Sequence, residues 1–233
     1  MKQVIILFLM GFISTIYGQK QIVWFDTGLK VQYGAAGLLN TAISNSDVYS
    51  PKIGTGLSYG GKIGINFAYN GIAIDVMKSS FSQDFNKGDN RYSTIDYNGL
   101  DIYVLFRNAK NLGYFEIGPK LSLVDKVTNT TDAEADVTAD YESKNIAAVL
   151  GFGANILGND GRFSGILGLR FEYGITDLGL KDNNTSPVND VSIYADGYKA
   201  SHPIFAGVVF ELNWGIGYFG KAQCGGRSKF IMF

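Results

Sequence analysis

The chain has 233 residues, with 20 Lys and Arg against 21 Asp and Glu, one His, one Cys, 30 Gly, 14 Tyr and 16 Phe. A net charge of −1 with 46% hydrophobic residues excludes a disordered charged tail and supplies no basic surface for nucleic acid. The single cysteine excludes a disulfide framework and a cysteine-based zinc site. What stands out is the pairing of many glycines with many aromatics at a mean hydropathy near zero.

Residues 1–18 read as a cleaved secretory leader. Lys2 gives a basic start, residues 4–13 are apolar, and Gly18 precedes Gln19. A spanning helix needs about 20 apolar residues. No later run reaches that length, so a membrane-spanning chain of this kind must close into a barrel.

From residue 24 onward the period is two. In 24–35, Phe25, Leu29, Val31 and Tyr33 oppose Asp26, Gly28, Lys30, Gln32 and Gly34. In 54–70, Leu57, Tyr59, Ile63, Ile65 and Phe67 oppose Gly56, Ser58, Gly60, Lys62, Gly64 and Asn66. A shorter segment at 72–77 sets Asp75 between Ile74 and Val76. In 97–107, Leu100, Ile102, Val104 and Phe106 oppose Asp101, Tyr103 and Arg107. In 114–124, Phe115, Ile117, Leu121 and Leu123 oppose Glu116, Gly118, Lys120 and Ser122. Residues 145–155 form a less polar version. In 163–175, Leu167, Leu169, Phe171, Tyr173 and Ile175 oppose Gly168, Arg170, Glu172 and Gly174. In 204–214, Val208, Phe210, Leu212 and Trp214 oppose Gly207, Glu211 and Asn213.

One face of these segments is bulky and apolar; the other is small or charged. That split suits a barrel with lipid outside and a crowded lumen inside. The connections alternate. Three are tight, at the hairpin dipeptide Asn70-Gly71, at 109–112 and at 158–161; four are long and polar, at 40–53, 82–95, 125–144 and 177–202. Seven connections join eight strands. Short turns on one rim and long loops on the other are the habit of outer-membrane barrels, with both termini in the periplasm. Trp24, Phe25, Tyr33, Tyr59, Tyr69, Tyr114, Phe115, Tyr173, Trp214, Tyr218 and Phe219 lie toward strand ends, where interfacial girdles form.

The expected fold is therefore all-β: a single eight-stranded antiparallel up-and-down transmembrane barrel over 19–219, after the leader and before a tail at 220–233. Eight strands enclose just enough space for side chains. The inner face carries Asp26, Lys30, Lys62, Asp75, Asp101, Arg107, Glu116, Lys120, Arg170, Glu172 and Glu211. Charges held away from water must pair, so these predict an internal salt-bridged network without a continuous channel.

Candidates for chemistry are few. His202 stands beside Ser201, but adjacent strand residues face opposite ways, which makes them poor catalytic partners; Asp196 and Glu142 are the acidic alternatives. The loop 125–144 holds Asp125, Asp132, Glu134, Asp136, Asp140 and Glu142 without the glycine and spacing of a calcium loop, and reads as a solvated acidic surface. Cys224 and Gly225-Gly226 fall in the tail, which either follows the last strand or adds a short pairing segment at 228–233.

Three stretches carry a family resemblance. Residues 25–40, FDTGLKVQYGAAGLLN, Phe115-Glu116-Ile117-Gly118-Pro119-Lys120, and Arg170-Phe171-Glu172-Tyr173-Gly174-Ile175-Thr176-Asp177 resemble the PorT-like outer membrane β-barrel family of Bacteroidetes. The resemblance implies an outer membrane address and the eight-stranded barrel, and its founding member is linked to type IX secretion and gliding. The functional expectation is a non-enzymatic, monomeric barrel with no cofactor or metal. It sits in outer membrane lipid and meets an envelope or secretion-machinery partner through its long loops. A small-solute channel and a barrel hydrolase using His202 are the alternatives.

Overall fold

The computed structural model describes residues 23–110, 113–158, 162–180, 185–188, 190–220 and 229–232. The leader at 1–18, Cys224 and Gly225-Gly226 lie outside the described residues. Eight long strands carry the fold: β1 (Val23–Asn40), β3 (Gly54–Phe67), β4 (Asn70–Lys87), β5 (Asn90–Lys110), β6 (Gly113–Thr130), β8 (Lys144–Leu157), β9 (Phe163–Gly174) and β10 (Ser201–Gly220). Short pieces decorate them: α1 (Thr41–Ser44), β2 (Tyr49–Pro51), β7 (Glu134–Asp136) and β11 (Lys229–Met232).

Each long strand pairs antiparallel with its successor, and β1 also pairs with β10 from Val23↔Phe219 to Asn40↔Ser201. The eight strands thus close into an up-and-down ring of outer-membrane type. Among the described residues no helix is long and apolar enough to cross a membrane. The alternation fixes which way each side chain points. Leu29, Ile63, Ile74, Val104, Ile117, Leu150, Leu169 and Val208 stand exposed on the outside. Lys30, Lys62, Asp75, Glu116, Arg170 and Glu211 are buried inside.

The two rims differ. At one end only a few residues separate β3 from β4, β5 from β6, and β8 from β9. The first reversal is Ala68-Tyr69, since Phe67 pairs with Asn70; Asn70-Gly71, expected as the turn, instead opens β4. Ala68 takes φ 55, the left-handed conformation that a tight reversal demands and a Cβ disfavours. At the other end the strands run on. A barrel strand needs about 9–11 residues to span a bilayer, whereas β4, β5 and β6 have 18, 21 and 18. The stretch 82–95, expected as a loop, is the continuation of β4 and β5 into a hairpin that turns at Gly88, where φ is 60.

β11 pairs with the overhang of β10, from Gly217↔Met232 to Gly220↔Lys229. Phe230 packs there against Phe25 and Phe219, with ring centroids 6.1 and 5.1 Å apart.

Ala68→Gly is expected to stabilise the barrel by about 1 kcal/mol by removing the left-handed penalty. A urea titration of the refolded protein checks this, and a lower midpoint for the variant would contradict it.

Candidate functional site

The ring gathers all eleven charged residues named from the sequence on its inner face. β1 contributes Asp26 and Lys30, β3 Lys62, β4 Asp75, β5 Asp101 and Arg107, β6 Glu116 and Lys120, β9 Arg170 and Glu172, and β10 Glu211. All eleven form ion pairs.

They divide into two groups along the barrel. In the larger, nearer the tight turns, Glu211 is the hub. Its carboxylate meets Lys30 Nζ at 3.0 Å, Lys62 Nζ at 2.8 Å and Arg107 Nη1 at 2.6 Å. Arg107 also reaches Glu116 at 2.7 Å. Arg170, wholly buried, donates to Glu116 through Nε at 2.9 Å and Nη2 at 2.6 Å, and meets Asp75 at 3.2 Å. Lys30 closes the circuit on Asp75 at 2.6 Å, while Lys62 meets Asp26 at 3.4 Å. Four cations here face four anions. In the smaller group Lys120 meets Glu172 at 2.5 Å and Asp101 at 3.4 Å. Gln32 bridges the two: its amide nitrogen reaches Glu172 at 3.2 Å and its oxygen accepts from Arg170 at 3.2 Å.

The arithmetic of burial explains this connectivity. Moving an ion out of water costs several kcal/mol. One neighbouring opposite charge returns about 4 kcal/mol at 4 Å for an effective dielectric near 20. Ions with two or three partners are therefore the ones that tolerate complete burial, and Glu211 and Arg170 have them. Two aromatic rings complete the cage. Tyr103 lies 4.8 Å from the Arg170 guanidinium carbon, and Tyr114 lies 4.8 Å from that of Arg107. Tyr114, expected in an outer girdle, is thus a lumen residue; its parity with Glu116 carried that signal. Glycine makes the room: a Cβ at Gly151 would stand 2.7 Å from Glu116 Cγ.

The far end of the barrel holds a structure that sequence reasoning missed. Leu38, Ile43, Tyr49, Phe85, Ile95, Tyr97, Val127, Tyr141, Leu178 and Val188 are buried in one hydrophobic cluster. Each of the four connections expected to be long and polar supplies part of it. They are a cap with its own core rather than separate solvated loops. The alternation of Phe85 and Ile95 with polar neighbours was the available signal. Polar ties lock the cap. The Asn40 amide donates to Ser201 Oγ at 2.9 Å, the Tyr198 hydroxyl to Asp177 at 2.7 Å, and the Tyr49 hydroxyl to Asp190 at 2.6 Å.

The residues weighed for catalysis sit in structural roles. His202 Nδ1 lies 3.0 Å from the Gly174 carbonyl, and its ring stacks on Tyr173 at 5.7 Å. Ser201 is buried on the opposite side of the strand, bonded to Asn40. In the acidic connection Glu134 meets Lys126 at 3.8 Å and Asp136 accepts from Thr138. Among the described residues no three or more His, Cys, Asp or Glu side chains converge as a metal-ion site.

A closed eight-stranded ring, apolar outside and ionic inside, defines an outer-membrane-type β-barrel. No protein-family model matches the chain, and no curated protein matches it in sequence. Solved structures similar to it include the Neisserial surface protein A, NspA, at 9% identity, covering 82% of this chain and 96% of that one with a TM-score of 0.44. The outer membrane protein OprG from Pseudomonas aeruginosa follows at 10% identity, with 84% and 96% covered and a TM-score of 0.39. The translocator domain of the autotransporter NalP from Neisseria meningitidis follows at 6% identity, with 91% and 94% covered and a TM-score of 0.27.

Glu211→Gln removes the charge that three cations share. It is expected to destabilise the barrel by about 3–5 kcal/mol, whereas Asp26→Asn, at the partly exposed edge of the network, costs under about 1 kcal/mol. Urea titrations of both variants check the ranking, and equal losses would contradict it.

The bonds from Tyr49 and Ser192 hold the Asp190 carboxyl below the usual carboxylate range. The Tyr49–Asp190 tie therefore contributes fully above that usual range and is lost as pH falls through the lowered value. Limited proteolysis of the 175–200 connection is expected to accelerate only below the ordinary carboxylate pKa. Tyr49→Phe is expected to show the faster rate already at neutral pH.

Proposed function

We propose that this chain is a non-enzymatic, non-conducting outer membrane barrel that presents its cap outside the cell as a surface for a protein partner. The carrying observation is the double closure of the lumen. The ionic network, in which Arg170, Glu116, Asp75 and Glu211 are fully buried, blocks the axis, and the hydrophobic cap lies beyond it. An open pore would wet at least one of these layers. The exposed belt of Leu29, Ile63, Ile74 and Ile117 supports a lipid environment around the ring.

The orientation follows the barrel habit, with tight turns and termini in the periplasm and the cap outside. A cleaved leader at 1–18 supplies the export route. Kinship with the PorT-like family is supported by the Gly118-Pro119 strand and the 170–177 motif. The cap offers apolar contact points at its surface. Val48 and Val191 are 49% and 65% exposed, and each adjoins one partner of the Tyr49–Asp190 tie. A tie that fixes two connections beside exposed valines pre-orders a docking surface, which lowers the entropy lost on association.

The refolded protein in planar bilayers is expected to show no stable conductance steps. Large, long-lived steps in the unaltered protein would overturn the non-conducting reading. The partner reading is tested separately by crosslinking and affinity isolation from native membranes. A stoichiometric partner lost on the double change Val48→Asp and Val191→Asp supports it; recovery of the barrel alone sinks it.

A further inference from the structure

Between the ionic network and the cap lies a cavity of about 50 Å³. It is axial, lined by residues from every strand of the ring, among them Ser58, Ser79, Asp101, Lys120, Ser122 and Glu172. A water needs about 10–15 Å³ of such space, so the cavity takes a few water-sized species. Organic ligands occupy sites of about 300 Å³ or more and are excluded.

Two independent observations define what belongs there. The first is charge. The larger ionic group is balanced, but the smaller one at the cavity sets Asp101 and Glu172 against Lys120 alone. One negative charge is uncompensated, and it sits in this group. The second is a missing bond. Asp101 is 3% exposed, and its Oδ1 has no hydrogen-bond partner. Its Oδ2 takes the long contacts, 3.4 Å from Lys120 Nζ and 3.3 Å from the Tyr103 hydroxyl. A buried carboxylate oxygen left bare is costly. A ligand that supplies one positive charge at that oxygen removes the cost.

We propose that the cavity binds one small monovalent cation of the size of sodium, held by Asp101 Oδ1 and the surrounding hydroxyl oxygens. The donor chemistry selects the ion. Carboxylate and serine oxygens are hard ligands and suit hard cations. The surplus of a single charge matches a monovalent ion, because Lys120 already answers the other carboxylate. The Lys120 side chain, 13% exposed, is the most accessible member of the smaller group. The ion is a plug component: it completes the electrostatics of the lumen beneath the cap.

The test uses the refolded full chain in detergent. Thermal unfolding is followed in sodium chloride and in N-methyl-D-glucamine chloride at equal ionic strength. Sodium is expected to raise the midpoint by a few degrees, saturably, and the bulky cation is expected not to. Asp101→Asn is expected to abolish the difference, and Ser122→Ala to raise the half-saturating sodium concentration several-fold while retaining the folded, heat-modifiable form. Crystals of the unaltered protein grown with thallium(I) are expected to show an anomalous peak beside Asp101, which keeps the test independent of any variant that fails to fold. Equal midpoints in both salts, an undiminished sodium effect in Asp101→Asn, or thallium crystals with no peak in the cavity would each overturn the proposal. A midpoint that tracks pH but not sodium would also overturn it and assign a proton to Asp101.

Discussion

Backbone groups in hydrocarbon have no water to bond, so a spanning sheet must pair its first strand with its last. Here that closure runs the whole length of β1 against β10. It removes the sheet edges, and it also sets the size of the enclosed space, because eight strands leave a lumen about one layer of side chains wide. Once the ring is closed, whatever points inward has nowhere else to go. Lys30, Asp75, Glu116, Arg170 and Glu211 meet because the ring forces them onto one axis.

That confinement changes the meaning of the charges. On an open surface such pairs contribute little, since water screens them and long side chains lose rotamer freedom to meet. Within the lumen the same pairs decide whether the fold is tolerable at all, because an ion without a partner carries its desolvation penalty uncompensated. Glycine on the inner face belongs to the same account: Gly151 gives the Glu116 carboxylate its space. The outward alternates are bulky and apolar because they face a different solvent.

Strand length then connects the barrel to its cap. Strands that ended at the apolar belt would leave four separate loops without a shared core. Because β4, β5 and β6 continue beyond it, Phe85, Ile95, Tyr97 and Val127 are carried to the height where Ile43, Tyr49, Tyr141, Leu178 and Val188 can pack on them. The result is a second core, built by the hydrophobic effect in a place where the sequence looks polar overall. The lumen is thereby closed twice, by ions and by apolar packing, with a small cavity between the layers.

The amino-acid sequence alone determined the strand period, the identity of the inward charges and the contrast between tight and long connections. These are local properties, written in neighbouring residues: Lys62 between Gly61 and Ile63, or Glu172 between Phe171 and Tyr173, faces inward by parity alone. It did not determine who pairs with whom. Arg170 finds Glu116 over the intervening β8, 54 residues away, and Lys62 finds Glu211 over β1, 149 residues away. Those contacts depend on register, shear and closure, which no local pattern encodes. The shift of the first turn from Asn70-Gly71 to Ala68-Tyr69 has the same origin, since cross-strand register outweighed dipeptide preference. Only the tertiary structure decided that the polar-looking connections share a core, because Leu38, Phe85, Val127 and Leu178 become neighbours only after the ring has closed and brought its four long ends together.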